Sequence, residues 1–213
     1  MNRIIIPAVI AKTQTELDDR ILKVKDYVNR IQLDIMDGKF VPNTSLDFDF
    51  ILPATNIHFE AHLMIENPED WIEKQGDKAD TLLVQIEAAG YPERVIDLAK
   101  KRGKKIGFVL NPETSIEAVE PYLEQLDQVL IMTVHPGFYG SPFLPDMLVK
   151  IREMRKRQPR LNIEADGGVT VETIGLVNRA GANLFVSGSY IMKAPSVKEA
   201  IMNLKRAMKG TDG

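Results

Sequence analysis

The sequence predicts an α/β protein made of a single closed (β/α)8 barrel, the TIM barrel architecture. Short apolar segments alternate with amphipathic segments along the whole chain, which indicates parallel strands joined by crossover helices. Eight strand segments can be counted, and eight parallel strands favour a closed barrel over an open doubly wound sheet. The length of 213 residues lies near the lower end of the roughly 200 to 400 residues typical of this barrel.

The predicted strands are short apolar runs, whereas the predicted helices carry apolar residues at helical spacing, as Leu17, Ile21 and Val24 do in the first helix. The strands span residues 3–10, 30–36, 57–65, 81–86, 105–110, 128–134, 161–165 and 183–187. The helices span residues 15–28, 68–75, 92–102, 115–123, 145–157, 171–180 and 197–208. Gly103 and Gly181 end the third and the sixth helix.

One irregular stretch, residues 37–53, follows the second strand and breaks the alternation. A loop that follows a barrel strand lies over the active face, so this stretch is a candidate lid, with an ordinary long loop as the alternative. No linker, low-complexity tract or shift in composition divides the chain. Residues 1–213 are therefore expected to form one domain.

Composition excludes several classes of function. The chain has 27 Lys and Arg against 30 Asp and Glu, a net charge of −3, and this balance argues against general binding of nucleic acids or membrane surfaces. The absence of cysteine excludes disulfides, a thiolate nucleophile and cysteine-ligated metals. No apolar run approaches the roughly 20 residues of a membrane span, and no signal peptide is recognised, so a cytoplasmic protein is expected.

The alternation of side chains along the strands predicts which residues face the barrel interior. In the second strand, Gln32, Asp34 and Met36 share one face, and the opposite face is wholly apolar and suits packing under helices. The same reasoning turns His62 of the third strand inward. The other polar inward residues near the C-terminal strand ends, where barrel active sites lie, are Gln85 and Asp166.

Asp34, His62 and Asp166 are therefore expected to converge on one point. Two carboxylates and an imidazole without a basic partner repel one another or shift their pKa values. A divalent cation resolves that repulsion, and oxygen and nitrogen ligands without sulfur suit Zn²⁺, Mn²⁺, Fe²⁺ or Co²⁺. The sequence thus predicts a metal site inside the barrel.

Glycine-rich turns follow the last three predicted strands. They include residues 137–140 after the sixth strand, Gly167 and Gly168 after the seventh, and Gly188 with Ser189 after the eighth. Loops at these places in a barrel commonly hold phosphate through backbone N–H groups, which glycine lets approach closely. The predicted substrate is therefore a phosphorylated small molecule.

Four motifs, in this order and spacing, give the chain a resemblance to the ribulose-phosphate 3-epimerase family over nearly its whole length. They are LDIMDGKFVPN at residues 33–43, AHLM at 61–64, MTVHPGF at 132–138 and EADGG at 164–168. The resemblance implies a barrel of the ribulose-phosphate-binding type. It also implies a metal-dependent epimerase that interconverts ribulose 5-phosphate and xylulose 5-phosphate in the pentose phosphate pathway, and a homo-oligomer, either a dimer or a hexamer.

The resemblance also assigns roles to individual residues. Asp34 and Asp166 would serve both as metal ligands and as the paired acid and base, with His62 as a third ligand. The space around the reacting carbons would be lined by Met36, Met64 and Met132, with Ala8 at a position of substrate contact. The phosphate would be held by Gly137, Phe138, Tyr139, Gly140, Gly167, Gly168, Gly188 and Ser189.

The chain departs from the family pattern at several polar positions. The metal-ligating His two residues before Asp34 is Gln32 here, so the fourth candidate ligand is an amide, which binds zinc-like ions less well than imidazole. The other departures are Ala8 for Ser, Lys39 and Gln85 for His, Tyr139 for Gly and Ser141 for Gln.

These departures leave three functions open. In the first, epimerisation continues with a three-ligand or Gln-assisted metal. In the second, the barrel performs related enediolate chemistry as an aldolase or decarboxylase, with Lys39 joining the carboxylates, as the resemblance in fold to hexulose-phosphate synthase and ketogulonate-phosphate decarboxylase suggests. In the third, the chain is a non-catalytic or metal-free phosphosugar-binding protein.

Overall fold

The structure, a computed structural model, describes residues 2–138 and 140–210 and confirms the predicted (β/α)8 barrel. Its strands are β1 (Ile4–Val9), β2 (Arg30–Asp37), β3 (Thr44–Ser45), β4 (His58–Met64), β5 (Thr81–Gln85), β6 (Lys105–Leu110), β7 (Gln128–Met132), β8 (Asn162–Asp166) and β9 (Leu184–Ser187). All except β3 are parallel neighbours in chain order, and β9 pairs with β1 to close the ring. The two-residue β3 pairs antiparallel with the end of β2.

The α-helices surround the barrel in nearly the predicted places. They are α1 (Gln14–Val24), α2 (Pro68–Gln75), α3 (Pro92–Lys101), α4 (Met147–Arg157), α5 (Ile174–Ala180), α6 (Ser189–Met192) and α7 (Val197–Lys209). Hydroxyl caps fix the starts of two of them: Thr13 Oγ1 accepts from Glu16 N at 3.2 Å, and Ser196 Oγ accepts from Glu199 N at 3.3 Å. Across the described residues, every helix is too short or too polar to cross a bilayer.

The predicted helix at residues 115–123 is wrong. The structure has two 3₁₀ turns there, Ile116–Ala118 and Glu120–Gln125. Pro121 is the physical reason, because it lacks an N–H group and its ring would clash with the carbonyl of Glu117 in an α-helix. The short helix α6, which the sequence pattern did not indicate, follows β9.

The stretch 37–53 is fastened to the barrel at several points. Ser45 Oγ accepts a hydrogen bond from Ala11 N at 3.0 Å, and Leu46 N donates to Ala11 O at 2.8 Å. Asn43 Nδ2 donates to Gly137 O at 2.8 Å and so links this stretch to the glycine-rich loop after β7. Leu46 and Phe50 are buried against the core, so the stretch packs as part of the domain.

The barrel interior is filled in layers that the strand register defines. Along β2 and β4, Gln32 lies opposite Glu60, Asp34 opposite His62, and Met36 opposite Met64. The outward faces of the strands are apolar and pack under the helices in one large core. The interior is therefore polar in its lower two layers and becomes apolar toward the C-terminal strand ends.

The lowest polar layer is a buried network around two glutamates. Arg30 Nη1 lies 3.2 Å from Glu60 Oε2, and Gln128 Nε2 donates to Glu164 Oε2 at 2.5 Å. Burial raises the pKa of Glu60 to about 7, although Arg30 opposes the rise, and burial with the nearby Glu60 raises the pKa of Glu164 well above its usual value. This layer closes the barrel beneath Asp34 and His62.

At the N-terminal end of β4, His58 makes the fold sensitive to acid. Its Nε2 lies 2.7 Å from Thr81 Oγ1, and burial together with Arg30 lowers the pKa of His58 to about 4. As the pH falls from 6.5 toward 4, the unfolded chain binds a proton that the folded chain does not, so the free energy of unfolding falls in that range. In a His58→Gln variant this loss should disappear.

Urea denaturation of wild type and variant at about pH 7 and about pH 5 would measure the difference. The variant should gain stability relative to wild type at the lower pH. His135→Gln, at an exposed position on the opposite end of the barrel, is the matched control. Identical pH dependence in all three proteins would contradict the prediction.

Candidate active site

Three side chains from two sides of the ring meet inside the barrel near the C-terminal strand ends. Asp34 of β2 and His62 of β4 are register partners, and Asp166 is the last residue of β8. His62 Nδ1 lies 3.6 Å from Asp34 Oδ1 and 3.5 Å from Asp166 Oδ2, and the three ligand atoms lie within 4.8 Å of one another. The convergence that strand alternation predicts is therefore present.

Gln32 completes this cluster from below. Its side chain is fully buried, and Nε2 donates to Asp34 Oδ1 and to Asp166 Oδ2, both at 2.8 Å. The amide therefore bridges the two carboxylates. The reason lies in the strand period, since Gln32 and Asp34 are two residues apart and point to the same interior.

The electrostatics of the cluster favour a positive charge between the carboxylates. Burial raises the pKa of Asp34, and the neighbouring Asp166 adds to the rise, whereas hydrogen bonds from His62 and Gln32 oppose it. Burial alone would lower the pKa of His62, but hydrogen bonds and attraction to Asp166 and Asp34 outweigh burial and raise that pKa to about 9.

The cluster fits a divalent cation. His62 Nδ1 is buried and makes only the long contacts of 3.6 and 3.5 Å to the two carboxylates, and Gln32 Oε1 is buried with no hydrogen-bond partner among the residues that the structure describes. Atoms that share one cation at about 2.1 Å lie roughly 3 to 3.5 Å apart, which is close to the separations of His62 Nδ1 from the two carboxylates. Asp34, His62, Asp166 and Gln32 are therefore the residues that could hold it.

Gln85, on the neighbouring strand, contacts the second nitrogen of the His62 imidazole. The side chain of Gln85, at the end of β5, is fully buried, and its Nε2 lies 3.0 Å from His62 Nε2. A hydrogen-bond partner on one imidazole nitrogen fixes the orientation of the imidazole. It also determines which of the two nitrogens carries the proton. Strand alternation indicated that Gln85 faces inward, but only the structure shows its contact with His62.

Apolar side chains line the pocket above the cluster. Met36, Met64 and Met132 line it with Ala8, and all four are nearly fully buried. Met36 and Met64 are register partners, and Met132 lies opposite Asp166 across β7 and β8. A ring of uncharged, polarisable side chains keeps water away from the carboxylates below.

The outer end of the pocket is formed by the glycine-rich loops. Its lining includes seven residues of the predicted phosphate set, Gly137, Phe138, Gly140, Gly167, Gly168, Gly188 and Ser189. Tyr139 lies outside the described residues. No Lys or Arg lines the described part of this pocket, so an anion here would be bound through backbone N–H groups.

Gly167 is a position in the pocket where the backbone requires glycine. Its φ is +112°, and a Cβ atom there would lie 2.3 Å from Val134 Cγ2. The neighbouring turn is fixed by Thr133, whose hydroxyl donates to Asp166 O at 2.9 Å. The chain can therefore leave β8 with Asp166 aimed at the cluster and turn at once toward the outer end of the pocket.

Comparison with known proteins decides the family. The sequence model of the "Ribulose-phosphate 3 epimerase family" matches residues 4–192. The chain belongs to this family. It is 39% identical over 213 residues to the ribulose-phosphate 3-epimerase of Bacillus subtilis (strain 168), an alignment that covers 94% of this chain and 97% of the relative. The members' shared activity makes the chain an isomerase of the epimerase type.

Two further comparisons agree with this family of epimerases. The chain is 37% identical over 190 residues to a ribulose-phosphate 3-epimerase of Oryza sativa subsp. japonica named as the cytoplasmic isoform, covering 85% of this chain and 83% of that one. The 3-hexulose-6-phosphate synthase of Salmonella typhimurium matches with a TM-score of 0.68 at 16% identity, over 98% of this chain and 99% of that one. The latter likeness concerns the fold alone.

Several residues that line the pocket of this epimerase were not among the predicted site residues. They are Ile10, Val134, Pro136, Ser141, Val169 and Thr170. They follow directly after strands or belong to the loops next to predicted residues. Their position in the sequence beside predicted site residues is the one signal that could have identified them. Conversely, Lys39 is exposed and does not line the pocket, and His135 is exposed and pairs with Glu113 at 3.1 Å.

Proposed function

We propose that this protein inverts the third carbon of a ketose phosphate, interconverting ribulose 5-phosphate and xylulose 5-phosphate in the pentose phosphate pathway. The observation that carries the proposal is that Asp34 and Asp166 face one pocket whose outer end is built from glycine-rich loops. Such a pocket accommodates a phosphate at one end and a proton-bearing carbon between two carboxylates at the other.

Inversion requires two groups, because the proton leaves one face of the planar enediolate and another proton arrives on the opposite face. Asp34 and Asp166 are assigned these roles. Their strands are not diametrically opposite, since only β1 and β9 separate β2 from β8 on the shorter path around the barrel. Their carboxylates still approach the pocket from different strands, and Gln32 and His62 hold them in place.

The raised pKa of Asp34 suits a residue that must accept a proton and return one. A carboxyl group that is hard to ionise is a stronger base than a solvated carboxylate. The methionine walls keep bulk water away from the reacting carbons, so the planar enediolate is protonated only by the two carboxylates, which exchange their protons with solvent between turnovers.

Asp34, His62, Asp166 and Gln32 would hold a divalent cation, with Zn²⁺, Mn²⁺, Fe²⁺ and Co²⁺ as candidates. Such a cation, when bound, would supply Lewis-acid stabilisation of the negative charge of the enediolate. The phosphate is assigned to Gly137, Phe138, Gly140, Gly167, Gly168, Gly188 and Ser189, and the substrate carbons to the space between Ala8 and the three methionines.

The aldolase or decarboxylase function is less well supported. That function, as the resemblance implies it, needs a lysine acting with the carboxylates, but Lys39 is exposed and no lysine is among the described residues that line this pocket. The non-catalytic function is also less well supported, because a binding protein needs no pair of carboxylates bridged around the reacting centre.

The experiment that tests the proposal is proton exchange in heavy water followed by NMR. The protein, purified without chelator and with its metal content measured, is incubated with ribulose 5-phosphate. Deuterium at the third carbon with growth of xylulose 5-phosphate is the expected result. No exchange, even after addition of Mn²⁺ or Zn²⁺, would overturn it, and metal without exchange would point to a different phosphorylated substrate.

We further propose that the protein works in the cytoplasm as a homo-oligomer, either a dimer or a hexamer. The name of the rice relative supports the location. Sedimentation of the purified protein would establish its mass, and a monomer at micromolar concentration would contradict this part of the proposal.

A further inference from the structure

The amide of Gln32 occupies an unusual position in the candidate metal centre. It is fully buried, and its single nitrogen donates to both carboxylates, at 2.8 Å each. Its oxygen is buried as well and has no hydrogen-bond partner within the described parts of the chain. Burying a carbonyl oxygen without a partner costs free energy. The same oxygen is a possible metal ligand that no contact within the described parts of the protein uses.

In the observed orientation the amide nitrogen is paired with the two carboxylates. The two N–H groups of an amide match two carboxylate oxygens, and the donors partly neutralise two charges that repel each other. Once the carboxylate lone pairs point to a cation, the same N–H groups face a positive charge and lose their acceptors. The oxygen would then be the favoured atom at this place.

The two orientations of the amide are related by a half-turn about the Cγ–Cδ bond, a torsion that is broad and roughly two-fold. The turn brings Oε1 to the place of Nε2, close to one oxygen of each carboxylate. Ligands of one divalent cation are spaced by about 3 Å when its coordination is octahedral. The amide oxygen therefore fits as a fourth ligand without movement of the strands.

We propose that Gln32 makes this centre oxygen-rich and shifts its cation preference from Zn²⁺ toward Mn²⁺, relative to a centre with imidazole at the same place. The ligand set becomes three oxygens, from Gln32, Asp34 and Asp166, and one nitrogen, from His62. Oxygen ligands suit Mn²⁺, whereas imidazole suits Zn²⁺. This inference rests on the proposed metal-assisted function, and it names the cation that the function uses.

The test compares metal affinities of the chelator-treated full chain by calorimetric titration, with competition by a chelator where binding is tight. Wild type and Gln32→His are each titrated with Zn²⁺ and with Mn²⁺. Because Zn²⁺ binds more tightly than Mn²⁺ to most sites, the measured quantity is the ratio of the two Kd values and its change. Gln32→His should tighten Zn²⁺ binding by at least about tenfold and change Mn²⁺ binding much less.

Gln128→Met is the matched control, because Gln128 is a buried amide of the layer below and does not contact the cluster. It should leave the ratio unchanged. An unchanged ratio in Gln32→His would overturn the inference while leaving the epimerase proposal intact. Failure of both cations to bind wild type would overturn the inference together with the metal-assisted part of the proposed function.

A second measurement applies even where Gln32→His does not fold. In the ¹⁵N-labelled wild-type protein, the side-chain NH₂ signals of Gln32 are followed as Zn²⁺, which is diamagnetic, is added. Loss of the two carboxylate acceptors should move these signals upfield as the amide turns. Signals that stay in place while Zn²⁺ binds would show that the nitrogen remains on the carboxylates, and would overturn the inference.

Discussion

Replacing Asp34 or Asp166 with asparagine is expected to lower the rate of epimerisation by about 10² to 10⁴-fold, the usual contribution of a general acid or base. Asparagine has the same shape but neither accepts nor returns a proton at neutral pH. Both variants should fail, because inversion needs one group on each face of the enediolate. A coupled assay of xylulose 5-phosphate formation measures the effect.

Each variant also weakens a candidate metal ligand, so a second readout separates the two roles. Proton exchange in heavy water is measured from each epimer separately. If the carboxylates act as acid and base, one variant should lose exchange from one epimer and the other variant from the other epimer. Loss of a ligand alone would diminish exchange from both.

Asp19→Asn, an exposed change on α1, is the matched control and should retain wild-type activity. Full activity in either Asp34→Asn or Asp166→Asn would rule out the two-carboxylate mechanism. The melting temperature of each variant should stay close to that of wild type, because the substitution removes no packing. This control would show that the barrel is intact.

Gly167→Ala is expected to destabilise the fold by roughly 3 kcal/mol, from overpacking of about 1 to 3 kcal/mol and backbone strain of about 1 to 2 kcal/mol. The added Cβ would lie 2.3 Å from Val134 Cγ2, and the φ of +112° disfavours any side chain. For a domain of this size, the melting temperature should fall by about 6 to 12 °C. Activity should fall as well, since Asp166 precedes this turn.

A second substitution tests the cause of that loss. Val134→Ala removes the two closest methyl groups, at 2.3 and 2.8 Å, but keeps its Cβ at 2.9 Å, so the double variant Gly167→Ala, Val134→Ala should regain part of the stability lost to overpacking and none of that lost to backbone strain. Gly90→Ala is the matched control, since a Cβ there meets nothing within 4 Å and Gly90 has no positive φ. Equal melting temperatures for Gly167→Ala and Gly90→Ala would contradict the steric argument.

Much of the fold follows from patterns that are local in the sequence. The alternation of strand and helix segments indicates a parallel barrel because each crossover needs a helix, and Thr13 and Ser196 mark helix starts because their hydroxyls satisfy N–H groups there. The reason why the predicted α-helix at residues 115–123 does not form is also local in the sequence. Pro121 is the local signal against an α-helix, although the apolar residues around it have helical spacing.

The convergence of Asp34, His62 and Asp166 could also be predicted, because a strand period of two points them inward at the same strand ends. The same convergence indicates a metal, and the glycine-rich turns indicate a phosphate. The roles of the two carboxylates as acid and base come only from the resemblance of four motifs to a family, and the match over residues 4–192 confirms the family.

The contacts that tune the site were decided by tertiary structure alone. Gln32 bridges carboxylates 2 and 134 residues away in sequence, and Gln85 reaches His62 across two neighbouring strands. Such pairs depend on ring closure and side-chain rotation, which leave no periodic trace in the sequence. The chain thus determines by itself which residues enter the barrel, whereas the closed barrel decides which atoms of Gln32, Gln85 and His62 face each other, because a few ångströms of hydrogen-bond geometry are set only when all strands are in place.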